Sequence, residues 1–151
     1  MKRLLIAFVL MACGSGGGGA ASSSASSTLP GGSTSKAAVE LFLSSVRAQD
    51  LQAMANVWGT QKGPAKDVVE RSQLEKRELI MQCYLTHDKY SILTDVALKS
   101  DLHEVQVSLS KGALVRQTKF TTVLGPSDRW YVQTVDLEPV HDLCASPPGG
   151  T

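Results

Sequence analysis

The spacing of apolar residues changes character three times along the chain. Residues 4–11 are an unbroken apolar block, and residues 14–35 have almost nothing to bury. A helical period then begins. Val39, Phe42, Leu43 and Val46 recur at i, i+3, i+4 and i+7. That stripe predicts a helix over residues 35–49, with Ser33, Thr34 and Ser35 as capping hydroxyls. Asp50 is suited to cap a second, shorter helix whose apolar face is Leu51, Met54 and Val57 or Trp58. Residues 59–64 are a turn-rich break. Residues 65–85 return to a helical pattern. Val69, Leu74, Ile80, Cys83 and Tyr84 are its expected buried set; Glu70, Arg71, Glu75, Lys76, Arg77 and Glu78 are its expected wet set. Arg71 and Glu75 are spaced for an i, i+4 ion pair.

After residue 88 the period falls to two. Tyr90, Ile92, Thr94, Val96 and Leu98 alternate with their neighbours, as do Val105, Val107 and Leu109. Residues 114–124 are rich in β-branched side chains, and residues 129–137 alternate again. Four strands follow, separated by Ser100-Asp101, Lys111-Gly112 and residues 125–128. Connections that short join only antiparallel neighbours. Helices followed by a meander predict an α+β domain, with the helices covering one face of a curved four-stranded antiparallel sheet.

The N-terminal block changes the picture from fold to location. Lys2 and Arg3 precede it, and the small residue Ala12 follows it, just before Cys13. Basic, apolar, small is the order of a secretory signal. Eight apolar residues rise about 12 Å as a helix, far short of a ~30 Å hydrocarbon core, so the block is no membrane span. Leu10-Met11-Ala12-Cys13 resembles a bacterial lipobox. The resemblance implies a signal peptide over residues 1–12, cleavage after Ala12, and diacylglycerol on the Cys13 sulfur. Gly14, in place of an aspartate, favours the outer membrane and its periplasmic face. Residues 13–35, nearly all Gly, Ser and Ala after the cysteine, read as a disordered tether. Its Gly16–Gly19 run lacks the strand, helix and Lys-Ser/Thr of a phosphate loop. Residues 36–144 are left as one domain and residues 145–151 as a frayed tail.

Composition removes other classes. A formal net charge of +1 with mixed signs gives no electrostatic case for nucleic acid. Cys13 aside, Cys83 and Cys144 remain, and an oxidising compartment favours their pairing over two free thiols. That bridge would tie the third helix to the end of the last strand. There is no Cys-x-x-Cys, His-x-x-x-His or His-Glu-x-x-His, so neither metal nor cofactor is expected.

The stretches Ala38-Val39-Glu40-Leu41-Phe42-Leu43 and Ala48-Gln49-Asp50-Leu51-Gln52-Ala53-Met54, a third helix and four strands resemble the nuclear-transport-factor-two-like (cystatin-like) cone fold. Trp58-Gly59-Thr60, Gly63-Pro64-Ala65, Arg77-Glu78, Met81-Gln82 and Leu85-Thr86-His87-Asp88 resemble uncharacterised bacterial lipoproteins of that superfamily. Its enzymes place Asp, His or Tyr inside the cone for proton transfer. The resemblance therefore implies His87 and Asp88 as catalytic candidates, with Tyr84, His103 and Tyr131 behind them. The plainer role for His87-Asp88 is to cap backbone groups at a helix–strand junction. Trp58, Arg71, Arg77 and Tyr131 are candidate binding residues, with core packing or a solvated helix face as the plainer roles. The expected function is a non-catalytic, membrane-tethered periplasmic module that binds a protein, an envelope component or a small ligand. The alternative is a small isomerase- or cyclase-like enzyme working in the cone interior, with Asp88 or His87 as base.

Overall fold

A computed structural model describes residues 29–145. The signal, Cys13 and most of the tether expected from the sequence lie outside the described residues, as does the tail after Ala145.

Helix α1 (Ser35–Ala48) starts where Thr34 accepts the Ala37 N–H and ends at Gln49, whose positive φ of 56° turns the chain. Asp50 caps α2 (Leu51–Val57) by accepting the Ala53 N–H. The break after α2 holds a two-residue hairpin, β1 (Gly59–Thr60) with β2 (Gly63–Pro64). The single third helix expected from the sequence is divided into α3 (Ala65–Val68) and α4 (Arg71–Tyr84). The division falls at Glu70, whose carboxylate takes the Ser72 and Gln73 N–H groups as an N-cap. The Ser72 hydroxyl, and after it those two N–H groups, hold its carboxyl below the usual range.

Strands β3 (Lys89–Lys99), β4 (Leu102–Lys111), β5 (Leu114–Leu124) and β6 (Trp130–Val135) form one antiparallel sheet in sequence order. A 3-10 turn and the short helix α5 (His141–Ala145) follow. Helix α1 lies across all four strands. Its stripe of Ala38, Val39, Phe42, Leu43 and Val46 is buried against Val105, Val107, Leu109, Phe120 and Val132. Each such side chain contributes roughly 1.5–3 kcal/mol when fully buried. Met54, Met81 and Leu85 fill the space from the other helices, and Phe42 meets Phe120 edge-on at 6.1 Å. This is the α+β architecture that the periodicity predicts.

Four expectations need correction. First, the folded unit begins before residue 36. Gly31 and Gly32 are buried, Gly32 pairs with Trp130 on the edge of β6, and Arg129 donates to the carbonyls of Pro30 and Gly31. Second, α4 buries Leu74, Glu78 and Met81, while Ile80 is 52% exposed. Third, β3 does not alternate throughout. Ile92 pairs with Val107 and Thr94 with Gln106, leaving Leu93 as a bulge. A bulge reverses which residues face the core, so Val96 and Leu98 are exposed. Fourth, Cys83 is bonded to Cys144, but the partner sits in α5, beyond the last strand.

Candidate functional site

The Leu93 bulge builds a polar cluster on the inner face of the sheet. Beyond it Asp95 sits opposite Val105, and Ala97 opposite His103. His103 is paired in turn with Thr122 on β5. The first residue of α1, Ser35, lies over this end. Its hydroxyl is 2.7 Å from that of Thr122 and 3.3 Å from Asp95 Oδ1. His103 Nδ1 is 2.6 Å from the same carboxylate oxygen, so the Nδ1–H tautomer donates to it. Trp130 closes the cluster with its ring edge-on to the imidazole, centroids 4.7 Å apart. The order of contacts is histidine, aspartate, serine. A serine nucleophile needs the histidine in the middle, so Ser35 is held here as a structural hydroxyl. What the group offers chemically is an imidazole oriented by a carboxylate, partly open to solvent.

His87 and Asp88 are not part of it. His87 is buried beside Tyr90, whose ring it meets edge-on at 5.7 Å. Its Nδ1 is 2.8 Å from the Leu85 carbonyl, so that nitrogen carries the proton, and Nε2 is buried with no hydrogen-bond partner among the described residues. Burial, helped by the charge of Arg47, pushes its pKa below the usual value and keeps the ring neutral. Asp88 points to solvent and accepts the Gly112 N–H at 2.8 Å, pinning the turn between β4 and β5. That carboxylate lies on the surface at a turn, not between the helices and the sheet. Tyr84 is half-buried on α4 against the core.

Trp58 and Tyr131 are brought together along β6, both in structural surroundings. Trp58 pairs its backbone with Val132 and donates from Nε1 to the Gln133 carbonyl at 3.2 Å. The Tyr131 ring is buried in a slot walled by Gly31, Gly59 and Gly125. Burial raises its hydroxyl pKa. It borders a surface cleft of about 240 Å³ with Lys62, Asp67 and Arg129.

Arg71 and Arg77 are both exposed on α4. Arg77 is on the solvent face. Arg71 holds Glu75 at 3.1 Å and borders a second cleft, of about 230 Å³, between α2, α3 and α4. This cleft contains Glu78, which is 2% exposed and has one carboxylate oxygen buried without a partner. Burial first, and the charge of Glu75 second, raise its pKa to about 7. Glu78 was legible as an anomaly: Leu74, Glu78 and Met81 are spaced i, i+4, i+7 on one stripe. The signal for Asp95 was the adjacent apolar pair Ile92-Leu93, which breaks strict alternation.

Among the described residues no three His, Cys, Asp or Glu side chains gather as a metal site, and no helix is long and apolar enough to cross a membrane. No family model and no curated protein matches the sequence. Among solved structures, the chain is similar to an NTF-2 like protein of unknown function from Shewanella oneidensis MR-1. The identity is 13% and the TM-score 0.40, over 65% of this chain and 90% of that one.

Proposed function

We propose that the protein is a lipoprotein tethered through Cys13 to the periplasmic face of the outer membrane. Its folded domain, in this reading, is a non-catalytic module that binds a small ligand, an envelope component or a partner protein. The observation that supports binding over catalysis is the filled interior. Phe42, Leu43, Met54, Leu85 and Phe120 occupy the space between helices and sheet, each fully buried. A catalytic cone needs that volume for its substrate. The clefts beside Glu78 and Tyr131 open on the outside instead. A Gly/Ser tether suits the same role, because it sets reach and leaves the domain free to meet its partner.

Fractionation of cells expressing the Cys13→Ser chain tests the anchor. Release into the soluble periplasmic fraction is the expected outcome; a variant that still sediments with membranes after a carbonate wash rules the anchor out. Native mass spectrometry of the Cys13→Ser chain tests binding, and a co-purifying small molecule or protein is expected.

The second reading, an isomerase- or cyclase-like enzyme, has one observation in its favour. Asp95 orients His103 through Nδ1, the arrangement that leaves Nε2 to take a proton. Turnover of a co-purified ligand that Asp95→Asn lowers by about tenfold or more would favour this enzyme. Turnover unaffected by that change would remove the pair from any mechanism.

A further inference from the structure

The buried stripe of α4 carries an acid where an apolar residue belongs. Leu74 and Met81 bury apolar side chains, and Glu78 between them buries a carboxyl. Buried polar groups in folded proteins find partners with few exceptions. Among the described residues Glu78 Oε1 has no donor. The residue lines the cleft between α2, α3 and α4; Oε1 itself is closed to solvent, so a donor in the cleft meets it once the Glu78 side chain turns. Two cations border the same cleft, Lys66 on α3 and Arg71 at the start of α4, with Gln52 contributed by α2. Glu78 at depth, with Lys66 and the Arg71–Glu75 pair at the rim, makes a dipolar cleft in which Lys66 is the cation without an acid beside it in the lining. At about 230 Å³ it is smaller than the sites that hold drug-sized ligands.

We propose that this cleft binds a small zwitterion, an amino acid or short peptide, with its ammonium on Glu78 and its carboxylate between Lys66 and Arg71. This rests on the binding-module reading and names the ligand class. The ammonium supplies the missing donor, and charge-assisted pairing is the stronger form of that bond. It also opposes the two influences that raise the Glu78 pKa, the desolvation and the Glu75 charge. Binding near neutral pH therefore ionises Glu78 and releases a proton. Arg71 already holds Glu75, so Lys66 is the cation with more freedom to turn to the ligand.

The test is calorimetric titration of the full chain in detergent micelles at neutral pH, in two buffers of different protonation enthalpy. The probes are alanine, alanyl-alanine, ethylammonium and propionate. Saturable binding of alanine or the dipeptide, with proton release, is expected. Ethylammonium and propionate should each bind about tenfold or more weakly, since each forms only half of the contacts. Glu78→Gln should weaken the dipeptide by about tenfold or more while preserving the amide spectrum. Lys66→Ala should weaken the dipeptide and leave ethylammonium unchanged. No saturation by either zwitterion up to roughly 50 mM overturns the proposal. So does a Glu78→Gln chain that binds the dipeptide as before. If that variant fails to fold, an unchanged dipeptide affinity in Lys66→Ala overturns it instead. A different molecule found by native mass spectrometry, with no response to these probes, sinks this ligand class and leaves the binding module standing.

Discussion

Removing the Cys83–Cys144 bond should cost this domain much of its stability. The bridge closes a loop of 61 residues. On the chain-entropy model, freeing a loop of that length returns roughly 4 kcal/mol of conformational freedom to the unfolded chain. A single domain of this size has about 5–15 kcal/mol in total. The native side adds to the loss. α5 is a single five-residue helix, and it is held by the bridge, by the burial of Leu143, by Lys111 Nζ donating to the Leu143 carbonyl at 2.6 Å, and by Arg116 of β5 donating to the Asp142 carboxylate. Without the bridge, α5 is held by the Leu143 side chain, the Lys111 hydrogen bond and the half-exposed Arg116–Asp142 ion pair, so its covalent tie to α4 is gone and it frays more readily. That would expose Leu143 and the side of α4 that it covers. The assay is urea unfolding of the full chain, oxidised against a Cys83→Ser/Cys144→Ser double variant, with mass spectrometry confirming the bond in the first. With a urea slope of about 1–1.5 kcal/mol/M, the midpoint should fall by roughly 3 M. Midpoints within about 0.5 M of each other, with the bond verified, would refute the loop-entropy argument for this fold.

Other substitutions test other contacts. Gly125→Ala would place a Cβ 2.7 Å from the buried Tyr131 ring. It should cost about 1–3 kcal/mol by thermal or urea unfolding, with much of that recovered in combination with Tyr131→Leu. Arg129→Ala removes both donors to the Pro30 and Gly31 carbonyls. It should speed hydrogen exchange at the Gly32 and Trp130 amides while leaving β4 protected. Glu78 binds its proton more tightly folded, at about 7, than unfolded, near 4.5. The native state therefore holds the extra proton between those values, and stability falls as pH rises from about 4.5 to 7, by at most ~3 kcal/mol. Burial lowers the His87 pKa, so His87 acts in the opposite sense below about 6.5. The difference between wild type and Glu78→Gln at pH 5 and 8 isolates the glutamate, and a difference that stays constant across that range would contradict its burial.

Where local pattern and tertiary packing agreed, the elements were legible. The α1 stripe and the inward residues of β4 follow single periods, and both are buried as expected. Four strands with short connections left one topology. What was not legible depended on contacts between distant segments. Gly31 and Gly32 look like the end of a Gly/Ser tether, because nothing local shows that Trp130 and Arg129 will fasten them. Glu70 reads as one more wet position on a long helix, because a glutamate cap is weaker in sequence statistics than Ser, Thr, Asp or Asn. Its carboxylate caps α4 all the same. The candidate site suffered most. His87-Asp88 drew attention as a dipeptide, yet the chain sends the two side chains apart, one to the core and one to a turn.

The bulge at Leu93 shows how one residue decides which chemistry the sheet presents. With strict alternation continued from Tyr90 and Ile92, the inner face would take Thr94, Val96 and Leu98, and Asp95 would face solvent. The extra residue turns Asp95 to the helix side of the sheet, at its exposed end, and two large aliphatic side chains to the other side, where Val96 and Leu98 are 51% and 53% exposed. Leaving them half-exposed forgoes at most about 1 kcal/mol of burial each. Three features offset that loss. Asp95 gains His103 and Ser35, the hydroxyl of Thr122 gains Ser35, and the N-terminus of α1 is fixed over the sheet by polar contacts. Without Asp95 on that face the Ser35 hydroxyl would keep Thr122 as partner but lose its carboxylate acceptor, and His103 Nδ1 would lose its own, each a bond worth about 0.5–1.5 kcal/mol. The polar cluster and the bulge are therefore one feature: the extra residue at Leu93 turns Asp95 toward His103 and Ser35, and those contacts fasten the start of the helix that covers the core.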